Sequence, residues 1–283
     1  MGTSHLGLEI PAFGGSAAAS AHKLGARRIE INAEGSYGAG GLTPTIDDLK
    51  TFTPSDGRSM PARRVMIRPR GPLEEPSSSS AAGARDFLYS EEEFEIMRAS
   101  IRSFKRSDLL DADKGDGFVF GILEETASPD GKNGVRFQVD EKRCSQLVDA
   151  AQPFKCVFHR AFDEIVSCDD TDYDGASSRS WETGLQAIAE CGFDGILTSG
   201  GLGRAIDNVK MLERIIQKAE DLGIEIIIGG GVRMGNVAEL IRRLKLQERA
   251  DAVFLHSACL RGDGSENINE EEVQGIIAHA NSS

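Results

Sequence analysis

Short apolar runs recur along the chain, each about the length of a buried strand, and each is followed by a stretch whose apolar positions fall three or four apart. The strand-like runs are Leu6–Ile10, Arg28–Asn32, Arg64–Arg68, Gly117–Leu123, Phe154–His159, Gly195–Ser199, Glu225–Gly229 and Ala252–His256. Helical spacing fills Ser16–Leu24, Ile46–Thr51, Ser90–Phe104, Asp140–Ala150, Trp181–Cys191, Arg204–Leu222, Met234–Leu244 and Asn269–Ala280. Such alternation is the pattern of repeated strand–helix units on a parallel sheet. Eight units predict an α/β fold, a TIM (β/α)8 barrel.

Local signals agree with these boundaries. Ser90 ahead of Glu91, Glu92 and Glu93 supplies a capping box and acidic charge at the positive end of a helix. Gly25, Gly192 and Gly223 each stand where a helix ends and a left-handed residue is wanted before the next strand. Two stretches break the plan and read as flexible loop insertions in a single domain. Residues 71–84, after the third strand, are rich in Pro, Ser and Ala without an apolar period. Residues 165–180, after the fifth, are acidic; their Asp residues lack the spacing and closing Glu of a calcium loop, so a solvated loop is expected.

The first three strands carry charge inside an apolar alternation: Leu8-Glu9-Ile10, Ile29-Glu30-Ile31-Asn32 and Val65-Met66-Ile67-Arg68-Pro69-Arg70. Period two sets the Leu, Ile and Val side chains against the helices, so Glu9, Glu30, Asn32, Arg68 and Arg70 face the lumen or its rim. Burying such groups costs several kcal/mol each unless they pair closely. Either they form an ion-pair layer that fixes strand register, or Glu9 and Glu30 act as acid, base or metal ligand while Arg68 and Arg70 hold an anion.

Further chemistry collects at other strand ends, where barrel sites form. The fifth strand runs out in His159, Arg160 and Asp163, and the eighth in His256-Ser257, beside strand one and so near Glu9. Thr198-Ser-Gly-Gly-Leu-Gly203 and Gly229-Gly-Gly-Val232 each lead toward a helix, so Ser199, Gly200, Gly201, Gly230 and Gly231 are candidate anion-cradling positions with Arg70. The catalytic candidates are Glu9, Glu30, Arg68, His159, Asp163 and His256. Several chemistries are set aside. Neither Gly-x-Ser-x-Gly nor His-Glu-x-x-His occurs, no lysine ends a strand for Schiff-base work, and Gly200-Gly-Leu-Gly203 has the wrong spacing for a dinucleotide fingerprint, so no nucleotide cofactor is expected.

Composition narrows the partners. Lys and Arg number 32 against 45 Asp and Glu, a net charge of −13 that argues against nucleic acid or an anionic membrane. Five widely spaced cysteines without a Cys-x-x-Cys suggest neither a disulfide framework nor a zinc ribbon, and hence a reducing compartment. The N-terminus lacks a signal-peptide pattern and no apolar run reaches membrane-spanning length; a cytoplasmic protein is expected.

Taken in order, Leu8-Glu-Ile10, Gly25-Ala-Arg-Arg-Ile-Glu30, Gly40-Gly-Leu-Thr-Pro44, Val65-Met-Ile-Arg-Pro-Arg70, Asp86-Phe-Leu-Tyr89, Phe158-His-Arg-Ala-Phe-Asp163, Leu197-Thr-Ser-Gly-Gly201, Gly229-Gly-Gly-Val232 and His256-Ser257 resemble the CutC copper-homeostasis family. The resemblance implies a TIM-type barrel, a cytoplasmic location, self-association into dimers and a role in copper tolerance or copper(I) binding. It also locates a departure. By that resemblance, family members commonly carry cysteines after the Leu-Glu-Ile of strand one and after the Ile-Glu-Leu of strand two, and Pro11 and Asn32 stand at those positions here. Two readings follow. In one, a copper-homeostasis protein binds metal without turnover; in the other, a lyase or isomerase with a carboxylate or histidine base acts on a small anionic or phosphorylated molecule. The metal is copper(I) or another, divalent ion.

Overall fold

In a computed structural model of the chain, residues 5–51, 61–72, 86–127, 135–168 and 179–282 are described. The elements run β1 (Gly7–Phe13), α1 (Gly15–Lys23), β2 (Arg28–Asn32), α2 (Ile46–Thr51), β3 (Ala62–Met66), α3 (Glu91–Arg106) and β4 (Gly117–Phe120). A hairpin of β5 (Leu123–Ala127) and β6 (Val135–Val139) follows, then α4 (Glu141–Ala151), β7 (Lys155–Phe158), α5 (Ala161–Val166) and α6 (Ser180–Glu190). The chain finishes with β8 (Gly195–Thr198), α7 (Val209–Leu222), β9 (Glu225–Ile228), α8 (Met234–Leu244), β10 (Val253–His256) and α9 (Glu270–Asn281). Every strand but β5 and β6 joins one closed parallel barrel in the order β1-β10-β9-β8-β7-β4-β3-β2. The expected eight-stranded barrel is therefore present.

Alternation along each strand sorts the side chains into two compartments. Leu8, Ile10, Ile29, Ile31, Phe118, Phe158, Ile196 and Ile228 pack outward under the helices, in one continuous core. Burying each such side chain stabilises the fold by roughly 1.5–3 kcal/mol. Inside the barrel, Met66, Val119, Val157, Leu197 and Ile227 form a separate apolar belt with Phe254 against it. That belt lines only part of the wall. Across β1, β2 and β10 the lumen is polar, because Glu9, Arg28, Glu30 and His256 point inward there.

The helix signals hold in detail. Ser90 accepts from the Glu93 N–H at 3.2 Å and Glu93 accepts from the Ser90 N–H at 2.7 Å, the reciprocal capping box at the start of α3. Gly25, Gly192 and Gly223 all have positive φ.

Three expectations are corrected. The hairpin β5–β6 was not foreseen: strand four ends at Phe120, and beyond Gly121 the chain re-pairs antiparallel with 135–139, burying Leu123, Phe137 and Val139. Helix α7 starts at Val209 rather than Arg204, because Asn208 Nδ2 donates to the carbonyls of Ser199 and Leu202, both at 3.0 Å, and holds the segment as loop. The loop expected over 165–180 begins later, since Ile165 and Val166 are buried in α5. Residues 169–178 of that stretch and 73–84 of the other insertion lie outside the described residues.

Candidate functional site

At the C-terminal ends of the barrel strands lies a cavity of about 440 Å³, within the range of small-molecule sites. Glu30, Arg68, His159, Asp163, Gly230 and His256 all line it. Of the other residues expected there, Gly231 also lines the cavity, whereas Glu9, Arg70, Ser199, Gly200 and Gly201 lie outside its lining.

Strand register assembles the polar wall. Glu9 pairs with His256 across β1 and β10, and Pro11 with Glu30 across β1 and β2. Glu9 Oε1 sits 2.8 Å from His256 Nδ1, and its other oxygen accepts from Arg28 Nε. Arg28 in turn reaches Glu225 at 2.7 Å and lies 3.9 Å over the Phe254 ring. Burial works against the Glu9 carboxylate, yet Arg28 and His256 hold its pKa down to about 2. Burial likewise opposes the imidazolium of His256, but the hydrogen bond it donates to Glu9 and the charge of Glu30 raise its pKa above the ordinary value. Glu30 differs: burial pushes its carboxyl up, with the nearby Glu9 charge adding to the rise. Asn32 Nδ2 donates to Glu30 Oε1 at 3.0 Å, and Glu30 Oε2 has no hydrogen-bond partner among the described residues.

Arg68 and Arg70, just beyond the end of β3, are committed to the protein. Arg68 donates to the Ala39 and Gly41 carbonyls and, through Nη2, to both oxygens of Asp86 at 2.6 and 2.8 Å. Arg70 turns away, donating to Glu93 at 2.5 Å and to the Leu88 carbonyl at 2.6 Å, and so ties the strand end to the start of α3. His159 lies against Phe87, ring centroids 4.8 Å apart, with Arg68 on the same ring at 5.6 Å. Its Nδ1 accepts from the Ala161 N–H at 3.3 Å, which leaves the proton on Nε2. Burial, helped by the charge of Arg68, pulls the His159 pKa down to about 3, so the ring stays neutral. Gly121 makes its room: a Cβ there would come within 2.9 Å of Nδ1.

The two glycine loops behave differently. In the first, the anion is the protein's own. Asp163 accepts from Thr198 Oγ1 at 2.5 Å, Ser199 Oγ at 2.7 Å, and the N–H groups of Ser199 and Gly201 at 3.1 and 3.2 Å. Burial raises the Asp163 pKa, and these donors work against that rise. In the second loop, the N–H groups of Gly230 and Gly231 have no partner among the described residues. Two arginines that the strand pattern did not single out as anion ligands complete the rim. Arg233 donates to the Val232 carbonyl at 2.9 Å and Ser257 Oγ at 3.0 Å through one nitrogen, and Arg160 stays exposed with Nε 3.8 Å from Asp163. The signal for Arg160 was its place in the His159–Asp163 cluster; for Arg233 it was the glycine run just before it. Arg28, also missed, follows from the Arg28, Glu30, Asn32 alternation.

Copper(I) is selected by soft thiolate or thioether ligands. Met66 is the one sulfur among the residues lining the cavity. Cys144, Cys156, Cys191 and Cys259 are packed in the core around the barrel, where burial pushes the Cys156 thiol up to about 12 and that of Cys259 up to about 11. Neither set of sulfurs fits a copper(I) centre. The oxygen and nitrogen donors fit harder ions: one atom each from Glu9, Glu30 and His256 lie within 4.8 Å of one another.

Comparison with known proteins places the chain in a lineage. A CutC family protein of Mesorhizobium japonicum is 31% identical over 255 residues, covering 90% of this chain and 78% of the relative. A human relative named copper homeostasis protein cutC homolog is 32% identical over 224 residues, 79% of this chain and 64% of its own length, so the match spans just under two thirds of that protein. Among solved structures, a CutC protein of Streptococcus agalactiae superimposes with a TM-score of 0.65 at 23% identity, over 89% of this chain and 98% of that one, a likeness of fold. The model of the CutC family matches residues 8–252, and the chain belongs to that family.

Proposed function

We propose that this barrel serves copper homeostasis, the role in the names of its human and Drosophila relatives, by binding a small anionic molecule at the strand C-terminal ends. The observation that supports this reading is the division of donors. Arg68, Arg70 and the Thr198–Gly201 loop are consumed by internal carboxylates and carbonyls, whereas Gly230, Gly231, Arg233 and Arg160 keep capacity beside the cavity. A phosphate or carboxylate group of the ligand sits there, and its reacting end lies against Glu30 and His256. A lyase or isomerase reaction is the class such a wall serves. By resemblance to the family, the working form is a cytoplasmic dimer, which sedimentation velocity would check.

Inorganic phosphate is the simplest probe. Titrated into labelled protein, it shifts the amide signals of Gly230 and Gly231, and Arg233→Met weakens it about tenfold, the worth of one charge-assisted hydrogen bond. Phosphate that leaves both glycine amides unmoved, or binds Arg233→Met equally well, refutes the anion seat.

A further inference from the structure

Glu30 is a buried carboxylate with an unanswered oxygen. It is 3% exposed, its Oε1 is held by the neutral amide of Asn32, and Oε2 has no hydrogen-bond partner among the described residues. No ion pair among those residues includes Glu30, although Glu9, a second carboxylate, lies beside it. Glu9 spends its charge on Arg28 through one oxygen and on His256 Nδ1 through the other. His256 is thereby anchored at Nδ1, which leaves Nε2 as its second ring nitrogen at the cavity that the residue lines. A carboxylate that clamps one ring nitrogen while the other faces an open site is the outer-shell arrangement of metal-binding histidines.

We propose that Glu30 and His256 bind a divalent first-row transition cation, such as zinc, with Glu9 orienting the imidazole from behind. The donors are a carboxylate oxygen and an imidazole nitrogen, and the cavity leaves room for ligand oxygens to complete the shell. Neighbouring ligands on a tetrahedral zinc are about 3.4 Å apart. One donor atom each of Glu9, Glu30 and His256 lies within 4.8 Å of the others, so Glu30 and the imidazole are neighbours, and side-chain adjustment rather than a rearranged strand brings them onto one ion. Pro11 and Asn32 give this wall no sulfur ligand for copper(I).

The test uses the full chain stripped with a chelator. Zinc is returned in competition with a chromogenic chelator, and copper(I) is titrated separately under anaerobic conditions. One equivalent of zinc is expected, weakened tenfold or more by Glu30→Gln and by His256→Gln, and unchanged by Cys156→Ser. Cobalt(II) loaded into the unaltered protein provides a reading that no folding defect can confuse: ligand-field bands without a thiolate charge-transfer band. Failure to retain zinc, an affinity in both variants that matches the unaltered protein, a thiolate band, or stoichiometric copper(I) binding that outcompetes zinc each overturns the proposal. Phosphate titrated into the metal-free protein reads the anion seat alone, so the two readings fail separately.

Discussion

Glu9 and His256, 247 residues apart in the chain, close the barrel seam: they are register partners on β1 and β10, and Oε1 of one lies 2.8 Å from Nδ1 of the other. Their contact is fixed by which strands come first and last. Glu9→Gln removes the charge that both Arg28 and His256 lean on, inside a lumen where Glu9 is 1% exposed. A loss of about 3 kcal/mol is expected from urea unfolding, because Arg28 is left buried with only Glu225. The His256 pKa, followed by NMR, falls toward its ordinary value in the same variant, since Glu9 is a cause of its elevation.

Stability depends on pH through His159. Its folded-state pKa, near 3, lies below the ordinary 6.5, so the native protein refuses a proton that the unfolded chain accepts. The contribution is complete above 6.5 and is lost as pH falls toward 3, with a slope of up to about 1.4 kcal/mol per pH unit. His159→Gln flattens the stability profile between these limits. An unchanged profile in that variant contradicts a buried neutral imidazole.

Gly121 and His159 form a matched pair of a missing side chain and a ring. Gly121→Ala places a methyl group about 2.9 Å from Nδ1 and from the Phe158 ring, so it costs about 1–3 kcal/mol and moves the His159 ring signals. Stability and ring shifts that match the unaltered protein would mean the ring has space elsewhere.

Arg68 and Arg70 separate by position rather than by chemistry. Arg70→Met lowers stability by about 1–2 kcal/mol, through the lost clasp on Glu93 and the Leu88 carbonyl, and leaves phosphate affinity unchanged. Arg68→Met disturbs both, because its guanidinium holds the cavity-lining residues Ala39 and Asp86 in place. Calorimetric titration beside thermal melts distinguishes the two outcomes.

The barrel was legible because two periods are written plainly: alternation in strands such as Ile29-Glu30-Ile31, and three-to-four spacing in helices such as α7. The inward facing of Glu9 and Glu30 followed from the same parity. What parity cannot give is direction beyond the last strand residue. Arg68 and Arg70 share one face in sequence, yet both lie past the end of β3 at Met66, where Asp86 captures one and Glu93 the other. Nor could the loop sequence Ser199-Gly200-Gly201 reveal that Asp163 reaches it, since that contact spans two strand–helix units. The β5–β6 hairpin was hidden for a related reason: its apolar positions serve a small satellite sheet and not the repeating unit.

The carboxylate of Asp163, lodged among Thr198, Ser199 and Gly201, makes this mouth self-blocked on one side. With that seat filled by the protein itself, an anion bound as proposed would be confined to the Gly230 side, its direction of entry set in advance by the host. Excising that internal tenant, as in Asp163→Gly, would release the Thr198, Ser199 and Gly201 donors and remove the built-in asymmetry.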